Sequence, residues 1–241
     1  MRMSRSFLVV LISAFPVLGQ TAAGDPAGHW DGAIHAPNLD VSVQIDLMKN
    51  AGGELAGAFS NPAQGIRSLP LSDVGAEGTG YTFAIRAAGG GGVFRVAVSA
   101  DGKTMTGDFI PAQSGRRIPF TAIRTGEAQI APAPTSAPIG RELEGTWNGS
   151  VDVNGKPVLL VLTMANHSDG TATGTIFSPD AGAELPIAIT QKASSLSLTV
   201  PAISGSYAGV LSADGAELVG TWTQGVSDLP LTFKRGAAGK P

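Results

Sequence analysis

The sequence has no cysteine, and among its 241 residues only three are histidine, two tyrosine and three tryptophan. Without Cys there is no disulfide framework, no thiolate nucleophile, no cysteine zinc site and no lipidation site at a mature N-terminus. Charge is sparse too: 15% of residues are charged and the net charge is −3. No basic field exists to attract nucleic acid or an anionic membrane surface, so neither is expected as a partner. Helix-length amphipathic stretches are scarce, and the G-x-S-x-G sequence of a hydrolase nucleophile elbow is absent. A partial match, "SGSYAG" at Ser204 to Gly209, has Ser where the first Gly belongs.

What is present is turn chemistry. With 33 glycines and 16 prolines between short alternating apolar stretches, the chain reads as all-β. At its start, Arg2 and Arg5 precede an apolar run from Phe7 to Leu18 and then small residues, the layout of a secretion signal. The run is about a dozen residues, whereas a membrane span needs roughly 20. Residues 1–23 are therefore expected to be removed, after Gly19 or after Ala23. That leaves a periplasmic or secreted protein with no membrane attachment.

The remainder is written twice. "SADGKTMTGDF" at Ser99 to Phe109 returns as "SADGAELVGTW" at Ser212 to Trp222. Gly28-His29-Trp30-Asp31-Gly32 matches Gly145-Thr146-Trp147-Asn148-Gly149, and Ile118-Pro119-Phe120 matches Leu229-Pro230-Leu231. Phe59-Ser60 aligns with Phe177-Ser178 by a one-residue slip. Two domains are expected, at 27–124 and 141–236, joined by a Pro/Ala-rich linker at 125–140 that is extended and forms no strand. Each copy reads as about eight short strands with tight turns, among them Asn154-Gly155, Asp169-Gly170, Asp101-Gly102 and Asp214-Gly215. Short sequential turns favour two tandem antiparallel up-and-down β-barrels over Greek-key sandwiches. One large outer-membrane barrel, which alternation and a leader would also fit, is opposed by the shortage of Tyr and Trp for aromatic girdles, by the short strands and by the proline linker.

The Gly-x-Trp opening of each copy resembles the first strand of lipocalin-like barrels, in which the Trp packs across one barrel end. The second copy as a whole, through "GTWNG", "SPDAGAELP", "YAG", "GTWTQG" and "LPL", is similar to a β-rich domain that precedes the catalytic domain of secreted bacterial α/β-hydrolases of the serine-aminopeptidase type. The first copy departs from it, with "SNPAQGIRSLP" and "GDFIPAQSG". The resemblance implies an accessory domain; the hydrolase activity is not carried over, because the catalytic domain is missing.

No catalytic, metal or cofactor constellation emerges. His29 and His35 share one side of a strand but lie about 20 Å apart at roughly 3.4 Å per residue, and His167 sits beside a turn, so all three read as surface histidines. Asp40 and Asp46 are equally far apart on a solvated face, and the Gly89 to Gly92 run reads as a flexible hairpin tip. The candidate ligand or partner loop is Ser178, Pro179, Asp180 and Gly182, with its counterpart at Ser60 and Gly65; a turn tied by Asp and Pro is the competing reading. Trp30, Trp147 and Trp222 are expected to point inward, filling the barrels or lining a small apolar cavity. Leu159 and Val161 stand where the first copy has polar residues, and are expected to be covered by the first domain, by a second copy or by another protein; a small exposed patch, or a loop folded over it, is the competing reading. The sequence thus reads as an exported, non-enzymatic binding module. The alternatives are a hydrolase or accessory subunit of a secreted α/β-hydrolase, and a lipocalin-like carrier of a small lipophilic ligand.

Overall fold

The computed structural model describes residues 24–87, 90–153 and 155–236; the expected leader lies outside them. The first unit is β1 (Gly28–Ala36), β2 (Leu39–Lys49), β3 (Leu55–Asn61), β4 (Ile66–Pro70), β5 (Ser72–Glu77), β6 (Gly80–Ala87), β7 (Gly90–Val98), β8 (Thr104–Pro111) and β9 (Ile118–Gly126). The second is β10 (Gly145–Val153), β11 (Lys156–Asn166), β12 (Ala172–Ser178), β13 (Ala183–Lys192), β14 (Ser195–Val200), β15 (Gly205–Leu211), β16 (Glu217–Gln224) and β17 (Ser227–Arg235). Sequential antiparallel pairing closes β10 to β17 into a barrel, with β17 returning to β10. Strand β14 shows why: Ser195, Ser197 and Thr199 face out while Leu196, Leu198 and Val200 are buried, a period of two that gives the sheet one wet and one dry face.

The first unit is the same barrel with one wall broken, so it has nine strands rather than eight. Its order is β4-β3-β2-β1-β9-β8-β7-β6-β5, and β4 and β5, joined at Leu71, occupy the place of the single β13. Two bulges cause the break. Between Asn61↔Ile66 and Phe59↔Leu69 the β4 side holds one extra residue, and Ser68 there has φ 50; between Gly75↔Thr82 and Ser72↔Ala84 the β5 side holds another, and Asp73 has φ 51. The one-residue slip expected between Phe59-Ser60 and Phe177-Ser178 therefore does not lie in β3. Gln44 pairs with Ser60 as Val161 pairs with Phe177, so Ser60 corresponds to Phe177 and Asn61 to Ser178, and the slip belongs to the bulge at Ser68.

Both interiors are filled by side chains. Phe94 is fully buried, with Phe59, Phe83, Phe109 and Phe120 at ring-centroid distances of 4.7–6.3 Å. Its counterpart Tyr207 stacks edge-on against Phe233 at 5.3 Å and donates its hydroxyl to the Leu218 carbonyl at 2.9 Å. Each opening Trp is fully buried and held in the same way. Trp30 donates Nε1–H to the Pro26 carbonyl at 2.9 Å, and Trp147 to the Leu143 carbonyl at 3.0 Å. Arg124 lies over the first ring at 4.8 Å and Arg235 over the second at 4.2 Å.

The connection between barrels is docked, which corrects the expectation of a free extended linker. Strand β9 reaches Gly126, the Gln129 amide donates to Asp46 Oδ1 at 2.6 Å, and Ser136 makes a β-bridge to Ala172 while its Oγ accepts the Ile189 amide at 2.8 Å. Ile139 is buried, and its amide and carbonyl are both bonded by the Asn166 side chain. The barrels also touch directly. The 3-10 turn Pro201–Ile203, at the β14–β15 connection, packs on both β13 and β4, and Ser204 Oγ donates to the Gly65 carbonyl at 2.9 Å. The Gly-rich stretch of the first barrel is not a loop over its described part, because Gly90, Gly91 and Gly92 pair within β7.

Candidate functional site

The loop expected to meet a ligand is held by its own bonds. In Ser178 to Gly182 the amides of Ala181 and Gly182 donate to the Ser178 carbonyl at 3.1 and 2.8 Å, and Gly182 has φ 63. Pro179 and Asp180 are exposed, but Asp180 Oδ2 accepts the Leu159 amide at 3.1 Å and so caps the neighbouring strand. Ser178 points inward, 9% exposed, and its Oγ has no hydrogen-bond partner. The equivalent Asn61 is buried and caps the turn after it by accepting the Gln64 amide at 3.2 Å. Ser60 Oγ accepts the Ser68 amide at 2.8 Å and so stitches the bulge, while Gly65 receives Ser204 across the domain contact. The two loops thus carry structural tasks, and the structure does not gather them into one site.

Trp30, Trp147 and Trp222 lie inside the barrels at 0%, 0% and 6% exposure. The best-formed concavities are outside. A shallow one of about 600 Å³ runs over Asp31, Ala33, Thr104, Thr106, Thr121 and Ile123 on β1, β9 and β8. A cleft of about 300 Å³ lies between the barrels, where Leu71 and Arg86 face Gly182 and Glu184.

His29 is not the surface residue the sequence suggested. Its side chain is 14% exposed, Nδ1 sits 2.7 Å from Asp46 Oδ1, and Asp31 approaches Nε2 at 3.8 Å. Asp46, on the outward face of β2, is buried because the connection at Gln129 folds over it. Hydrogen bonds from Thr125 and then Gln44 hold Asp31 below the usual carboxylate range. The cluster ties the interdomain connection to the first barrel through Thr125 on Asp31 and Gln129 on Asp46. No group of three His, Asp or Glu side chains among the described residues is placed to hold a metal ion.

One difference between the two barrels lies on the outer face of β11 and β12. Leu159 is 51% exposed, Val161 is half-buried, and Phe177, directly opposite Val161, is half-buried on the same outward side. The matching positions of the first barrel are Ser42, Gln44 and Ser60. The first domain leaves Leu159 half exposed: the domain contact runs through β4, Gly65 and the 201–204 turn, and Leu71 and Arg86 reach only the Gly182–Glu184 border of the face. Phe177 escaped the sequence reading because the assumed slip set it beside the inward Phe59.

Comparison with known protein families finds no match, and neither does comparison with curated proteins. Among solved structures, the chain is similar to a Bacteroides fragilis NCTC 9343 protein assigned provisionally to the outer membrane, at 14% identity and TM-score 0.28, with 89% of this chain and 97% of that one covered. It is also similar to a protein of unknown function of the DUF3598 family from Nostoc punctiforme PCC 73102, at 12% identity and TM-score 0.24, over 87% and 96% of the two chains.

Proposed function

We propose that the protein is an exported, non-catalytic interaction module that engages another molecule through the outer face of its second barrel. The observation that carries this reading is the replacement of Ser42, Gln44 and Ser60 in one copy by Leu159, Val161 and Phe177 in the other. A duplicated domain inherits a polar outer face at no cost; an outward apolar stripe of exposed Leu159 beside half-buried Val161 and Phe177 carries a solubility penalty unless something covers it. A filled interior supports this surface reading over a lipophile carrier. Export is supported by the leader-like residues 1–23.

The test places a photo-cross-linking amino acid at Leu159 and, as an internal control, at Ser42, in cells that export the protein. The expected outcome is a specific adduct from position 159 and none from 42. Equal labelling at both positions, or none at 159, would contradict the reading.

A further inference from the structure

We infer that the β11–β12 face accepts a cationic, apolar polypeptide segment, in which Lys or Arg side chains border aliphatic ones; this rests on the reading of the chain as an interaction module. Along β11, Pro157, Leu159 and Val161 form a stripe about 14 Å long at roughly 3.4 Å per residue, with Phe177 beside its end. The strand edge next to it is closed. From Lys156 to Leu160, β11 has no β12 partner, yet Pro157 has no N–H to offer and the Leu159 amide is taken by Asp180. An incoming strand therefore cannot extend the sheet here, and side chains are what the surface presents.

Its border is acidic. Asp152 stands opposite Pro157, Asp180 beside Leu159 and Glu184 opposite Phe177, and none of the three joins an ion pair among the described residues. The nearby cations are largely spoken for: Arg86 is held by Asp73 at 2.6 Å and Lys234 by Glu217 at 3.3 Å, leaving Lys156 at the hairpin. A negative rim around an apolar stripe repels anionic lipid. It also disfavours a two-fold pairing with a second copy, which would bring two acidic borders together. A cationic apolar segment covers the stripe and neutralises the rim at once.

The test titrates the full chain into fluorescent dodecapeptides in which Leu and Val alternate with Lys, with Glu or with Ser. The Lys peptide should bind at least about tenfold more tightly than the others, an advantage that shrinks with added salt. Leu159→Ser with Phe177→Ser should abolish that binding, and Asp152→Asn with Glu184→Gln should reduce the Lys peptide to the level of the Ser peptide; thermal melts of each variant establish that it is folded. Preference for the Glu peptide, or for phosphatidylglycerol-containing vesicles over all three peptides, overturns the inference. Self-association in sedimentation that Leu159→Ser removes, without any Lys preference, puts a second copy on the face and overturns the cationic partner while the module reading survives. If the Leu159 and Phe177 substitutions change none of these, both fall.

Discussion

Asn61 and Ser178 occupy the same place at the end of the third strand of each barrel, both buried, yet only Asn61 has a partner. Asn61→Ala should cost about 1 kcal/mol, the usual worth of a lost cap, while Ser178→Ala should lie within about 0.5 kcal/mol of the parent, because no bond is broken. Denaturant melts of the two variants decide this, and a costly Ser178 substitution would reveal a partner for its hydroxyl. Trp147 is different in kind. It is fully buried, bonded to Leu143 and covered by Arg235, so Trp147→Ala should cost about 3–5 kcal/mol; a melt unchanged from the parent would place the ring outside the core. At Tyr207, burial pushes the phenol up to about 12 from 10.0. Because the neutral form is the one the fold favours, its contribution is complete below pH 10 and is lost as pH rises toward about 12. In a Tyr81→Phe background, tyrosinate absorbance should appear near the upper value together with unfolding, and titration at the ordinary value in the native state would show that the ring is solvated.

Elements show where sequence reasoning reaches and where it stops. The period of two, the Asp-Gly turns and the repeated Gly-x-Trp made the strands and their order readable, since each is a local pattern with a local cause. The bulges at Ser68 and Asp73 were not readable: neither position is Gly, and both hold positive φ only because the barrel wall around them is fixed. Misplacing that single extra residue hid Phe177, the side chain that completes the apolar face. The connection between barrels was misread for a similar reason, because its composition says extended while its bonds to Asp46, Ala172 and Asn166 are long-range. Asp46→Ala should release its first half, so protease cleavage near Ala131 should quicken while the stretch around Ile139 stays protected; equal cleavage of parent and variant would show that the Gln129 bond does not hold the segment.

At the scale of the whole molecule, duplication supplied two similar scaffolds, and they diverged where a scaffold is free to change: one wall of the first barrel and the outer face of the second. The aromatic networks around Phe94 and Tyr207 fill the interiors, and the concavities described above lie outside. The central claim is that both barrels are solid and that the chain works from its surface. Native mass spectrometry of the protein, purified without detergent, tests it most directly. The mass should equal that of the polypeptide alone, unchanged on denaturation; a small lipophilic molecule retained in the native spectrum and released on unfolding would show that a barrel is hollow and would contradict this.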